Sequence, residues 1–317
     1  MRRAGIGVGA VCALVVAVVF AAMATWAGET ARRPKILGIF QVRISVSNLV
    51  AAREFYSGVT NQDLVCHWCE TSPPPTTAVF RSGQLLQFVP GDPAAHSSRV
   101  TEVAFAVDDP KLLKQLLQAN KIAFEETNSK VGPPSILLKD PEGNALRFVP
   151  SLIAVRPKVV GEEEKPSTRP DTSMPGRIIH AGWVVKDRAA MDKFYKDVLG
   201  FRVYWTGGMK DGETDWVDMQ VPDGTDWIEF MLNVPENADK ETLGVMNHIA
   251  LGVTDVRATA KALHAKGMKL PEEPKIGRDG KWQLNLYDPD ETRVELMEFT
   301  PVERPCCSEY TGNHPKP

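Results

Sequence analysis

The chain has 317 residues, 43% hydrophobic and 24% charged, which is enough apolar material for about two ordinary domains and too much for a disordered chain. Its formal net charge is -3 with a pI near 6.1. No long lysine- or arginine-rich run stands out, so the composition offers no electrostatic footprint for a nucleic acid.

Residues 1–27 differ from the rest. Arg2 and Arg3 precede a small, apolar stretch from Ala4 to Ala27 that includes Leu14, Val15, Val16, Val18, Val19 and Phe20. Such a pattern marks a signal peptide or a membrane anchor. Ala22-Met23-Ala24 and Thr25-Trp26-Ala27 put small residues where a signal peptidase reads, which favours cleavage, although about 20 apolar residues also suffice for an uncleaved span. Cys12 follows Val11 rather than a small residue, which argues against lipid attachment. The folded part is therefore expected to be exported, periplasmic or extracellular, touching a membrane only through this segment if it is retained. Beyond it four cysteines remain, Cys66 and Cys69 in CHWC and the neighbours Cys306 and Cys307. An oxidising compartment makes these disulfide partners rather than metal ligands. A bridge from the tail to the first repeat is one pairing among several.

A first repeat spans residues 35–150, a Pro- and charge-rich linker 151–176, a second repeat 177–300, and a proline-rich tail with little core material 301–317. Laid on one another without gaps, IFQVRISVSNLVAAREFYSGV and IIHAGWVVKDRAAMDKFYKDVLG match Gln41 with His180, Asn48 with Asp187, and Phe55-Tyr56 with Phe194-Tyr195. VTEVAFAVDDPKLLKQLLQAN likewise parallels MNHIALGVTDVRATAKALHAKG, and LKDPEGNALRFVP parallels LYDPDETRVELMEF. One half-unit is thus written four times. Each reads as a strand, a helix of about ten to thirteen residues capped by Asn48, Asp109, Asp187 or Asp255, and then short strands.

In the second repeat, 49 residues separate His180 from Glu229 and 47 separate His248 from Glu295, so a ligand-type residue stands near each end of two half-units. Two imidazoles and two carboxylates suit a divalent first-row ion with positions left for water or substrate. Such an ion holds two neighbouring oxygens and stabilises an oxyanion, and Glu229 or Glu295 is the candidate catalytic, proton-moving carboxylate. On a strand, residues two apart share a face, so His180 goes with Gly182 and Val184, Glu229 with Trp227 and Met231, and Glu295 with Arg293 and Met297. Arg293 is a candidate for meeting an anionic substrate. Trp227 and Trp183 belong to an aromatic-rich repeat suited to an apolar or aromatic ligand, although core packing explains most of these tryptophans equally well. The first repeat carries Gln41, Gln87, Glu102 and Arg147 at the corresponding positions, where Arg147 is expected to pair with Glu102 in place of a metal. His67 and His96 fall outside these positions.

The segments RIIHAGWVVKD, FYKDVLGF, WIEF, NHIALGV and DPDETRVELMEF resemble the vicinal oxygen chelate superfamily. That group includes glyoxalase I, methylmalonyl-CoA epimerase, extradiol dioxygenases and the bleomycin and fosfomycin resistance proteins. The resemblance covers nearly all of both repeats. It implies an α+β fold of two tandem domains, each pairing two βαβββ modules into a mixed sheet curled around a central site. The family's four metal positions fall on His180, Glu229, His248 and Glu295, for nickel, cobalt, zinc, manganese or iron. By that resemblance a His, Glu, His, Glu set is similar to bacterial glyoxalase I and so to a lyase or isomerase acting on a small substrate with vicinal oxygens. Extradiol dioxygenases hold iron with two histidines and one glutamate and usually lack a ligand at the place of Glu229. A ring-cleaving dioxygenase and a non-catalytic ligand-binding or sequestering protein are the two alternatives. Export sits badly with a glutathione-dependent substrate. Glu291-Thr292 replaces the family's usual Gly-Asn or Gly-Tyr, which opens the turn before the last strand to a different shape. Modules also pair across subunits in this superfamily, so a homodimer sharing ligands is a further expected arrangement.

Overall fold

The computed structural model describes residues 32–62, 64, 76–92, 98–127, 134–154 and 173–317. Residues 1–27, CHWC, His67, His96 and most of the linker lie outside them. Among the described residues no helix is long and apolar enough to cross a membrane.

Two mixed sheets carry the fold. The first has strands β1 (Ile36–Val46), β2 (Thr76–Val79), β3 (Leu85–Pro90), β4 (Val100–Val107), β5 (Glu125–Thr127), β6 (Ser135–Lys139) and β7 (Ala145–Pro150), in the order β2-β3-β1-β4-β7-β6-β5. The second has β8 (Arg177–Val184), β9 (Arg202–Gly207), β10 (Trp216–Gln220), β11 (Trp227–Met231), β12 (Ile249–Val253), β13 (Lys275–Ile276), β14 (Trp282–Tyr287) and β15 (Arg293–Glu298), in the order β13-β14-β15-β12-β8-β11-β10-β9. In each, an antiparallel central pair, β1 with β4 or β8 with β12, is flanked on both sides by a parallel neighbour. The parallel pairs require crossovers. Helices α1 (Leu49–Thr60), α2 (Pro110–Ala119), α4 (Arg188–Asp192) and α6 (Val256–Ala265) begin them. The remaining helices are the short α3 (Ser151–Ala154) and α5 (Lys240–Met246).

Local chemistry starts these crossover helices. Asn48 accepts from the amides of Val50 and Ala51, Asp109 from Lys111 and Leu112, Asp187 from Ala190 and Asp255 from Ala258. Each thereby satisfies amides that a first helical turn leaves open. Helix α4 widens into a π-helical turn over Lys193–Val198, which keeps Phe194 and Tyr195 buried.

One apolar core joins the two sheets, with Val42, Phe88 and Phe105 from the first and Trp183, Phe230 and Leu296 from the second. Reciprocal polar ties cross the same boundary. The Tyr56 hydroxyl reaches Asp288 at 3.0 Å, and Tyr195 reaches Asp140 at 3.2 Å. Asp290 accepts from the amide of Ser47, and Glu142 from those of Lys186 and Asp187. The turn at Glu291 keeps the shape of the matching turn in the first repeat. Glu291 takes the left-handed conformation at φ 64°, as Gly143 does at φ 86° in the matching turn of the first repeat. A non-glycine residue there is strained by about 1 kcal/mol, and Asp288 holds the turn by accepting from the amides of Asp290 and Thr292.

The C-terminal stretch, proline-rich and with little core material, is bound to the second sheet. The amide of Thr311 donates to Tyr204, that of Thr206 to the Ser308 hydroxyl, and Gln220 to the Asn313 carbonyl. The stretch so covers the edge strand β9, whose unpaired backbone groups need a partner. Cys306 and Cys307 are joined to each other rather than to the first repeat.

Candidate metal centre

The four central strands of the second sheet deliver the four predicted ligands. His180 lies on β8, Glu229 on β11 and Glu295 on β15, and His248 immediately precedes β12. Registers Trp227 to His180, Ala250 to His180 and Ala250 to Glu295 align them across adjacent strands. Gly182 makes the space. A Cβ there would stand 2.2 Å from Cε1 and 2.3 Å from Nδ1 of His248.

The Nε2 atoms of His180 and His248 are 3.0 Å apart. Glu229 Oε2 lies 2.8 Å from His248 Nε2 and 3.4 Å from His180 Nε2, and Glu295 Oε2 lies 3.5 and 3.9 Å from Nε2 of His180 and His248. Ligands about 2.1 Å from one ion stand about 3.0 Å apart at a right angle and about 3.4 Å apart at the tetrahedral angle. The observed separations, 2.8 to 3.9 Å, bracket that range.

Proton placement makes the same demand. His248 Nδ1 faces the Met246 carbonyl oxygen at 3.0 Å and must donate to it, which in a neutral ring leaves a lone pair on Nε2. Burial lowers the pKa of both histidines, with the charge of Arg293 adding to the effect at His248. The His248 lone pair, which Arg293 Nη2 also approaches at 2.8 Å, therefore faces Glu229 Oε2, another lone-pair atom, at hydrogen-bond distance. A cation between these atoms and His180 Nε2 would satisfy all of them, so the residues fit a divalent ion.

The two carboxylates differ. Burial raises Glu229, but its neighbours His248, His180 and Arg293 outweigh it and hold the group at about 2. Glu295 is pushed up to about 8, first by burial and then by the charges of Glu229 and Asp279, against Arg293 and Lys281.

A cavity of about 90 Å³ adjoins the cluster, with Trp227, Arg293 and Met297 in its wall beside His180, Glu229 and Glu295. Arg293 Nη2 lies 2.8 Å from His248 Nε2. Trp183 does not belong to this wall. It is fully buried between the sheets and its indole nitrogen donates to the Val100 carbonyl of the first sheet, because it alternates with the His180 face. Its expected substrate role is withdrawn.

Several residues of the site had no sequence signal beyond type. Trp205, Trp216, Asp218, Arg278, Asp279 and Gln283 complete the wall, and Lys281 is fully buried behind it among Tyr204, Trp227 and Tyr310, its ammonium 4.7 to 5.4 Å from their ring centres. Strand alternation from Glu229 through its cross-strand partner Asp218 would have found that carboxylate. Tyr310 comes from the C-terminal stretch and donates to Asp279, which no local pattern could reveal.

The corresponding place in the first sheet is filled by its own side chains. Arg147 grips Glu102 with Nε at 2.8 Å and Nη2 at 2.9 Å, and Gln41 donates to Gln87 at 3.0 Å. Arg43, unremarked in the sequence, donates to Gln87 at 2.8 Å and to Glu102 at 3.3 Å.

Residues 177–296 match the family model described as Glyoxalase/Bleomycin resistance protein/Dioxygenase superfamily. A lactoylglutathione lyase of Haemophilus influenzae is 31% identical over 124 residues, covering 38% of this chain and 92% of that protein. The chain belongs to this superfamily. Its two-sheet fold also resembles solved members of the superfamily. The 2,3-dioxygenase LapB from Pseudomonas sp. KL28 superposes with a TM-score of 0.63 at 16% identity, over 90% of this chain and 96% of that one. The Mn(II)-bound glyoxalase from Novosphingobium aromaticivorans gives 0.61 at 17% identity, over 84% and 83%. Members of the superfamily bind divalent metals and act on small molecules, and both tandem domains here have its fold.

Proposed function

We propose that the second domain is a metal-dependent lyase or isomerase of glyoxalase type, acting on a small substrate with vicinal oxygens. The convergence of His180, Glu229, His248 and Glu295 carries this reading. The similarity to a lactoylglutathione lyase supports it. When bound, a divalent ion supplies Lewis-acid polarisation of two neighbouring substrate oxygens. His180 and His248 would hold it as neutral imidazoles, and Glu229 as an ionised carboxylate. Glu229 and Glu295 flank one cavity, which sets two carboxylates where a proton can be moved from one carbon to its neighbour. One carboxylate accepts the proton at Oε and the other returns one. His180, His248 and Glu295 are buried and the Glu229 side chain is only 12% exposed, which limits the access of bulk water to that exchange.

Glu229 also bears on the dioxygenase alternative. It stands 2.8 Å from His248, at the place where an extradiol dioxygenase is expected to lack a ligand, so the four-ligand set favours the lyase or isomerase. Export belongs to the same proposal and is supported by the apolar run of residues 1–27.

Elemental analysis of protein purified from its own host, followed by assays with nickel, cobalt, zinc, manganese and ferrous iron, tests this reading. Proton-transfer or lyase turnover of the methylglyoxal–glutathione adduct or a related oxo compound, lost in His180→Ala together with the metal, is expected. Oxygen-dependent cleavage of catechol with ferrous iron alone would replace it by the dioxygenase reading. A protein without divalent metal, whose melting temperature is unchanged in His180→Ala, would leave a sequestering role.

A further inference from the structure

We infer that Arg293 is a latch that competes with a metal ion for the coordinating lone pair of His248 and, once displaced, binds the carboxylate of a small 2-hydroxy or 2-oxo acid. The inference rests on the metal reading above and extends it to the order of binding and the substrate class.

The latch follows from proton placement. Arginine only donates, and its Nη2 is 2.8 Å from His248 Nε2, whose ring already donates through Nδ1 to Met246. Arg293 therefore takes the Nε2 lone pair. That lone pair cannot serve a guanidinium and an ion together, and a cation in the cluster repels Arg293 as well. Filling the metal position thus releases a guanidinium beside the cavity that Arg293 lines.

The surroundings favour an anion as its next partner. Arg293 Nε, Arg278 Nε and Trp227 Nε1 belong to residues of this one cavity wall, and each is buried without an acceptor.

Size restricts the anion. The cavity of about 90 Å³ is well below the ~300 Å³ of sites that enclose drug-sized ligands, so the group it takes beside the cluster is a short acid. In a 2-hydroxy or 2-oxo acid, one carboxylate oxygen and the oxygen on the next carbon form the vicinal pair, and the second carboxylate oxygen is left for Arg293. A carboxylate is also the planar acceptor a guanidinium fork matches.

Arg293→Met tests this with cobalt(II), L-lactate and 1,2-propanediol, the last a neutral counterpart of lactate. Calorimetry and the cobalt absorption spectrum measure both affinities on the full chain. The variant should bind cobalt about tenfold more tightly, because the competing donor is gone, and should bind lactate about tenfold more weakly when cobalt-loaded. The parent should prefer lactate to 1,2-propanediol by about tenfold, and the variant should lose that preference. Effects of opposite sign separate a latch from a structural role, which would weaken both. If Arg293→Met does not fold, Arg293→Gln serves the same comparison. Unchanged or weakened cobalt binding in the variant, or unchanged lactate binding, overturns the latch while leaving the metal reading intact. A parent that takes up no cobalt overturns the metal reading itself, and the latch with it.

Discussion

Tyr56, on the first crossover helix, donates its hydroxyl to Asp288 in the turn that precedes the last strand of the other domain, at 3.0 Å. Tyr195 makes the mirrored bond to Asp140 at 3.2 Å. Both hydroxyls are buried, and burial followed by the charge of the facing aspartate pushes their pKa well up, so both donate throughout the physiological range. Tyr56→Phe and Tyr195→Phe each leave a buried carboxylate short of a donor. Each should lower the free energy of unfolding by about 1–3 kcal/mol in urea titrations. A loss in only one of the two would show that the domain boundary is not symmetric.

Gly182 provides a test of the site that leaves every ligand in place. A methyl group would meet the His248 ring at 2.2 Å, and that ring is enclosed, so the histidine must move. Gly182→Ala should retain its fold by circular dichroism yet bind cobalt(II) at least about tenfold more weakly, since metal geometry tolerates displacements of only about 0.2 Å. Parent-like cobalt affinity would mean that His248 is not a ligand.

The first domain should respond in the opposite manner. Arg147→Met removes the two-pronged contact to Glu102, leaving that buried carboxylate with only Arg43 at 3.3 Å. Breaking a buried pair from one side costs about 3–5 kcal/mol. A large fall in denaturation midpoint with unchanged metal content is the expected result. Altered metal content would assign an ion to the first domain as well.

Asp226 introduces a pH dependence at the domain boundary. It accepts from the Ile39 amide and from Arg177, yet burial raises its pKa to about 6 against the opposing charge of Arg177. The folded chain binds this proton more tightly than the unfolded chain, so stability falls as pH rises from about 4 through 6. The group accounts for about 3 kcal/mol of that fall. Asp226→Asn does not titrate, so its stability relative to the parent should rise by about this amount between pH 4 and pH 7. A difference that stays constant across that range would show that Asp226 has an ordinary acidity.

Much of the fold and the candidate ligand positions was legible in sequence because both depend on short-range periodicity. Repetition of one half-unit exposed the modules, the caps at Asn48, Asp109, Asp187 and Asp255 marked the helix starts, and period-two alternation put Arg293 and Met297 on the face of Glu295. The same alternation should have excluded Trp183, which points away from the His180 face. The contacts of Arg293 with His248 and of Arg43 with Glu102, the burial of Lys281 beneath Tyr310, and the ties from Tyr56 to Asp288 and from Tyr195 to Asp140 required the tertiary structure. Their partners are separated by 45 to 232 residues for the hydrogen-bonded pairs. No local pattern encodes which distant side chains will share a lone pair, because that is settled only when the strands align in register and the two sheets close over one core.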